Sequence, residues 1–254
     1  MSTRKRSSFR SDSRIEQPTI DDIRDQELFR GLDAETLQFI CEDSRIYDVV
    51  ANQLVETTWD RINYLYVILK GFVSAWRPSC FDPAKEYFLA WRGPNQIIGE
   101  MRAIGTESIS THFKTCDRCH LLEIPSRIFF KAGEMDPVMY RNFSHLLMKK
   151  MRYQGHRAEV VQMANTRLKV VQTLLHLAED RCGSEKIKQC EHLHIPGLLD
   201  QTELGLYAGI TRATVNRELR VLKGEKLIQF SASKSGTRII ILNRSALQTI
   251  TQTP

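Results

Sequence analysis

Residues 199–242 read LDQTELGLYAGITRATVNRELRVLKGEKLIQFSASKSGTRIIIL, and the order of caps, glycines and apolar positions predicts two short helices and a hairpin. Asp200, with Glu203 three residues on, is an N-terminal capping pair for a helix over about Gln201–Ala208. Gly209 supplies the left-handed conformation that ends it, and Thr211 caps a second helix. Two helices joined by a tight glycine turn make a helix-turn-helix, here from about Asp200 to Gly224. In the second helix Val215, Leu219 and Leu222 fall at i, i+4 and i+7 and face a core. Arg212, Ala213, Asn216, Arg217 and Arg220 take the other side. Leu227–Phe230, a turn over Ser231–Gly236 and Thr237–Leu242 then predict a hairpin, or wing, with Lys234 near its tip.

The outward face of the second helix has the chemistry of a double-stranded DNA reader. Arginine can pair with O6 and N7 of guanine, and asparagine with adenine. Base contacts are expected from Arg212, Asn216 and Arg217. Backbone contacts are expected from Thr211, Thr214, Arg220 and Lys234. The competing reading is a solvated basic helix beside an unrelated hairpin, and capping, turn, face pattern and charge agree against it. Of the formal charge of +6, residues 1–14 contribute five basic groups against Asp12, and residues 200–244 contribute eight against four acids. The remainder is slightly negative, so a polyanion is drawn to the two ends.

Upstream, residues 1–27 are polar and charged and predict a flexible basic arm. Residues 28–135 carry mainly β signals: Tyr64–Trp76 (YLYVILKGFVSAW) and Glu86–Arg92 (EYFLAWR), separated by turn chemistry at Pro78–Pro83 and Gly93-Pro94-Asn95. Several short strands with regular turns suggest an antiparallel barrel or roll. Asp136-Pro137 opens a helix, with Asp as N-cap and Pro at the first helical position. Leu147, Met151, Gln154, Ala158, Val161, Asn165 and Leu168 then recur at spacings of four and three, a heptad seam that predicts a homodimer. An amphipathic helix packed on its own domain is the alternative. The fold class is α+β: an antiparallel β-roll over 28–135, a dimerisation helix and hinge over 136–175, and a winged helix-turn-helix over 176–254.

The chain has 254 residues and no apolar run of the length that crosses a bilayer, and its basic, Ser-rich N-terminus is unlike a secretory signal. The cytoplasm is the expected compartment, with no membrane partner. No nucleophile–base pair or Gly-rich phosphate loop stands out, so an enzyme is not expected.

The succession of YLYVILKGFVSA, Gly99-Glu100, a long helix, TLLHLA and TELGLYAGITRATVNREL resembles the Crp/Fnr family over nearly the whole chain from about residue 28. The resemblance implies a cyclic-nucleotide-binding-like β-roll whose state sets the placement of two recognition helices on a pseudo-palindromic site, with RNA polymerase as a further partner. It carries the family's two DNA-contacting arginines onto Arg212 and Arg217. Where the family often has an acidic residue, this chain has Ala213.

Glu100, Glu107, Ser108 and Gln154 fall where the resemblance places an effector pocket. Members that bind cyclic AMP hold its phosphate with an arginine-serine pair, here Glu107 and Ser108, and a carboxylate there repels phosphate. The adenine-holding hydroxyls correspond to Gln154 and Gly155. Cyclic AMP is therefore not the expected effector. No cysteine precedes Cys41, so the family's N-terminal iron–sulfur cluster is not expected either. Cys116-Asp-Arg-Cys119-His120 matches a c-type haem attachment pattern, but that chemistry belongs to exported apoproteins. Structural thiols are one reading of this segment. A cysteine-based redox or metal site, zinc or haem, using Cys116, Cys119 and His120 with Cys80 or His112 nearby, is the alternative.

Overall fold

The computed structural model describes residues 14–56, 64–79, 81–82, 85–105, 111–183, 189–233 and 236–252, and the chain divides into two compact units, Met1–Lys149 and Lys150–Pro254. In chain order the first unit contains β1 (Arg14–Glu16), α1 (Ile20–Ile23), α2 (Ala34–Asp43), β2 (Arg45–Val49), β3 (Leu54–Glu56), β4 (Tyr64–Lys70), β5 (Val73–Pro78), β6 (Glu86–Arg92) and β7 (Ile97–Ile98). It continues with α3 (Glu100–Ala103), β8 (His112–Thr115), β9 (Cys119–Pro125), α4 (Ser126–Met135) and the start of α5 (Val138–Gln162). Two antiparallel sheets run in the orders β1-β2-β9-β4-β7 and β3-β8-β5-β6.

β4 explains the unbroken apolar run YLYVIL. Leu65 and Val67 join a core made with Ile23, Ile40, Phe129 and Phe143 from the helices. Tyr66 and Ile68, on the opposite face, join Val55, Val73, Ala75 and Phe113 of the second sheet. A strand buried on both faces needs no polar alternation. The stretch Tyr64–Trp76 is two strands, not one. Gly71 breaks it at φ +85, where an added Cβ would lie 2.5 Å from the Arg118 carbonyl oxygen and 2.7 Å from Cys119 Sγ. The Asp117 carboxylate accepts from the Phe72 amide at 2.7 Å and fixes the same turn.

The flexible arm expected through residue 27 is corrected within the described residues. Arg14–Glu16 pairs with β2, and Ile23 is buried. A short polar segment carrying a few large apolar side chains is enough to dock on a sheet edge.

The second unit holds the end of α5, then α6 (Thr166–Cys182), β10 (Leu193–Leu199), α7 (Gln201–Ala208), α8 (Arg212–Gly224), β11 (Ile228–Ser233), β12 (Gly236–Ile241) and α9 (Arg244–Gln252). β10-β12-β11 form one antiparallel sheet. Pro196 and Gly197 interrupt the apolar pattern of β10. The strand accommodates them as a register shift between Ile195 and Leu199.

The long helix also differs from expectation. It ends at Gln162, and Asn165 caps the next helix by accepting from the amides of Arg167 and Leu168 at 2.9 and 3.3 Å. Asn165 and Leu168 therefore do not extend the seam. A heptad count registers only side-chain spacing and misses the preference of Asn for an N-cap. The buried Lys169 ammonium donates to the Val161 carbonyl at 2.8 Å, satisfying one of the orphan carbonyls where α5 ends.

Gly71→Ala should cost about 1–3 kcal/mol of stability in the first unit, since an alanine must hold a positive φ against a backbone oxygen. The urea midpoint of that unit measures it, and an unchanged midpoint would contradict the role given to Gly71.

Candidate nucleic-acid interface

The DNA-facing element is built from caps and close backbone approach. Asp200 accepts from the amides of Thr202 and Glu203 at 2.6 and 3.0 Å to start α7. Gly209 ends it in the left-handed region, φ 65 and ψ 38. The returning chain passes so near Gly205 that a Cβ there would sit 2.6 Å from the Ile210 carbonyl oxygen. Thr211 then caps α8, accepting from the Thr214 amide at 3.2 Å. Its hydroxyl also lies 3.0 Å from that of Thr214.

α8 is anchored by Val215, Leu219 and Leu222, all buried, which with Val170, Leu174 and Leu204 belong to the core of this unit. Arg212, Ala213, Arg217 and Arg220 are exposed, while Thr214 and Asn216 are half-buried. Lys223 sits over the Phe230 ring at 5.2 Å. The outward surface of α8 thus carries cationic groups on a helix whose inner face cannot rotate away. Asn216 is tied back, its Nδ2 donating to Gln201 Oε1 at 3.0 Å. Gln201 in turn donates to Thr237 Oγ1 of β12 at 3.2 Å. This chain of amides and hydroxyl joins both helices to the wing strand. Lys234 lies outside the described residues.

Two charged side chains organise the back of the site. Glu218 is buried, and its Oε1 accepts from Arg217 Nε and Nη2 at 3.2 and 2.9 Å and from Thr166 Oγ1 at 3.3 Å. Arg167 of α6 pairs with Glu225 just beyond α8. The Arg167 guanidinium holds the Glu225 carboxyl below its ordinary value. That contribution is therefore in place at neutral pH and is lost as pH falls through the lowered value.

α5 reaches the same helices from the other side. Arg157 donates to the carbonyls of Leu206 and Tyr207 at 3.2 and 3.4 Å, where α7 ends, and lies over the Tyr207 ring at 5.7 Å. A cation at a helix C-terminus is favourable. Tyr153 meets His176 edge-on at 4.7 Å, and His176 stacks on Tyr207 at 6.1 Å.

Of the seam residues on α5, Met151, Gln154, Ala158 and Val161 are exposed and Leu147 is half-buried. Of the expected effector-pocket residues, Glu100 begins α3 and is half-buried. Glu107 and Ser108 lie outside the described residues, and Gln154 is exposed on α5.

The Cys116–His120 segment is the turn from β8 into β9. Cys119 is buried, with Sγ 3.3 Å from the Phe72 carbonyl oxygen. Burial raises its pKa, and the neighbouring Asp117 carboxylate adds to the effect. His120 Nε2 lies 3.7 Å from Asp48 Oδ1. Among the described residues no group of three or more His, Cys, Asp or Glu side chains is arranged to hold a metal ion. Cys80 lies outside the described residues.

Sequence reading missed Gly205, Gln201, Thr237, Glu218, Thr166 and Lys169. Gly205 is the one with a local signal, a glycine inside a helix.

A capped helix-turn-helix with a winged sheet and an exposed arginine face, in a chain that also carries a two-sheet antiparallel unit, defines a DNA-binding transcription regulator. Residues 168–250 match the Crp-like helix-turn-helix domain. The chain is 21% identical over 207 residues to the cAMP-activated global transcriptional regulator CRP of Pasteurella multocida, spanning 81% of this chain and 94% of that protein. A CooA mutant from Carboxydothermus hydrogenoformans superposes with TM-score 0.64 at 16% identity, over 94% of this chain and 98% of that one. FixK2 from Bradyrhizobium japonicum does so with TM-score 0.63 at 15% identity, over 83% and 98%. Residues 168–250 are thus a Crp-like helix-turn-helix domain, and the chain has the Crp/Fnr fold. No helix among the described residues is long and apolar enough to cross a membrane.

Cys119 should resist iodoacetamide at pH 8 in the folded protein and react once urea unfolds it, because a raised pKa keeps the thiol protonated and burial blocks access. Mass mapping of the labelled peptide reads this. Labelling of folded Cys119 at the rate of an exposed cysteine would contradict its structural role and favour the redox reading of the segment.

Proposed function

We propose that the protein is a homodimeric, cytoplasmic, sequence-specific regulator that places two α8 helices in successive major grooves, with RNA polymerase as a further partner. The observation that carries this reading is the exposed face of α8, with Arg212 and Arg217 near the start of a helix capped by Thr211. Base-reading residues of helix-turn-helix proteins occupy this part of the recognition helix. Arg212 and Arg217 read bases, and Asn216 keeps its carbonyl and a second N–H for a base while its other N–H binds Gln201. Thr211, Thr214, Arg220 and Lys234 serve the phosphates.

The dimer forms through the outward face of α5. Met148, Met151 and Val161 are 61%, 67% and 42% exposed on it, beside the exposed Ala158 and Gly155. Apolar side chains at this spacing with an exposed polar Gln154 suit a helix pair that fixes register. The contacts of Tyr153 and Arg157 to α6 and α7 give any shift of α5 a direct route to the reading head.

The relative from Pasteurella multocida is named as cAMP-activated. Here Glu107 stands where the resemblance places a phosphate partner, and Gln154 and Gly155 replace the two hydroxyl residues, which supports an effector other than cyclic AMP.

Arg217→Ala should cost about 1–3 kcal/mol on the operator and erase preference at one base pair per half-site. Lys234→Ala should weaken all sequences alike and flatten the salt slope by about one unit. Equal losses on operator and random DNA for Arg217→Ala would make it a phosphate contact instead. For the dimer, Met151→Glu should give monomers in light scattering and poor operator binding. An unchanged dimer mass would sink the seam. Met151 is the better probe than Val161, whose methyls also approach Gly209.

A further inference from the structure

Glu218 stands out because a carboxylate occupies an inward position of α8. Its neighbours Val215, Leu219 and Leu222 are buried and apolar, and its own side chain is only 10% exposed. An apolar residue would pack at such a place without the cost of taking a charge out of water. The charge is met at one oxygen. Glu218 Oε1 accepts two N–H donors of Arg217, at 3.2 Å from Nε and 2.9 Å from Nη2, and the Thr166 hydroxyl at 3.3 Å.

Helix geometry does not impose this contact. Consecutive residues point about 100° apart around an α-helix, so the Arg217 side chain has to swing towards its neighbour to make it. The result is a guanidinium with its Nε–Nη2 edge turned to the protein. Its other two-donor edge, Nη1 with the remaining Nη2 N–H, is left outward on a side chain that is 65% exposed. That edge has the spacing to bond O6 and N7 of guanine together.

We propose that Glu218 is a positioning residue for base recognition. It holds the Arg217 guanidinium in one plane with its end-on edge facing the groove, and Thr166 holds Glu218. The inference rests on the reading of Arg217 as a base contact. Thr166 is the first residue of α6, directly after the break that follows α5. The orientation of the reading arginine therefore depends on where α6 begins, and a change at that junction alters base selectivity without moving α8 as a body.

The experiment compares Glu218→Gln, Glu218→Leu, Thr166→Val and Arg217→Ala in the full-length protein. Each is bound to a randomised half-site library, and base preference per position, affinity for random DNA and the thermal midpoint are recorded. Glu218→Leu is included because an apolar side chain suits a buried position and keeps the domain folded. Both Glu218 variants should lose roughly five- to tenfold of the preference at the base pair that Arg217→Ala erases. Other positions should be unaffected, the thermal midpoint held, and affinity for random DNA unchanged or higher, since a carboxylate is gone. Thr166→Val should shift the same base pair by less. If Arg217→Ala erases a position and both Glu218 variants keep the wild-type profile, the positioning role is wrong and the base contact survives. A uniform loss on all sequences together with a lower midpoint would make Glu218 merely structural and overturn the proposal. If Arg217→Ala erases no position, both the base contact and the positioning role fall.

Discussion

The approach of the chain to Gly205 constrains everything that follows it. With 2.6 Å between a hypothetical Cβ and the Ile210 carbonyl oxygen, no side chain fits there unless the turn opens. Together with the left-handed Gly209, this contact sets how tightly α7 turns into α8. The burial of Leu204, Val215 and Leu219 against Val170 and Leu174 of α6 depends on that turn. So does the outward placement of Arg212 and Arg217, since a helix clamped on one face has its other face decided for it.

Buried charge is the second organising feature of this unit. Lys169 answers a carbonyl at the end of α5, and Glu218 answers Arg217 and Thr166. Arg157, whose pKa burial lowers, answers the last carbonyls of α7. Each is a charged group whose desolvation is offset by an orphan backbone group or an opposite charge. All three lie at helix ends or at the reading face. Packing holds the helices together, and these polar ties set how they are turned relative to one another.

α5 presents two different faces. Tyr153 and Val160 are buried within the second unit, whereas Met151, Ala158 and Val161 are exposed. The heptad pattern and the domain-packing pattern coexist on one helix because a surface helix has room for two apolar stripes. The alternatives of a seam helix and a helix packed on its own domain are therefore compatible.

The sequence by itself determined the elements that rest on local chemistry. Asp200, Gly209 and Thr211 act within a few residues of themselves, so the helix-turn-helix and its inward and outward faces were legible from residues 199–242. The same holds for strands such as Glu86–Arg92, whereas the turn at Gly71 inside Tyr64–Trp76 emerged only from the structure. Tertiary structure alone decided what depends on partners distant in sequence. β10 is a strand because β12 pairs with it. The docking of Arg14–Glu16 and Ile23 depends on a sheet and a core whose members include Phe129 and Phe143, far along the chain. Glu218 counted in the sequence as one more acid, and only the juxtaposition of Thr166 and Arg217 gives it a role. Local propensity fixes backbone conformation over a few residues, but burial and pairing are properties of the assembled chain.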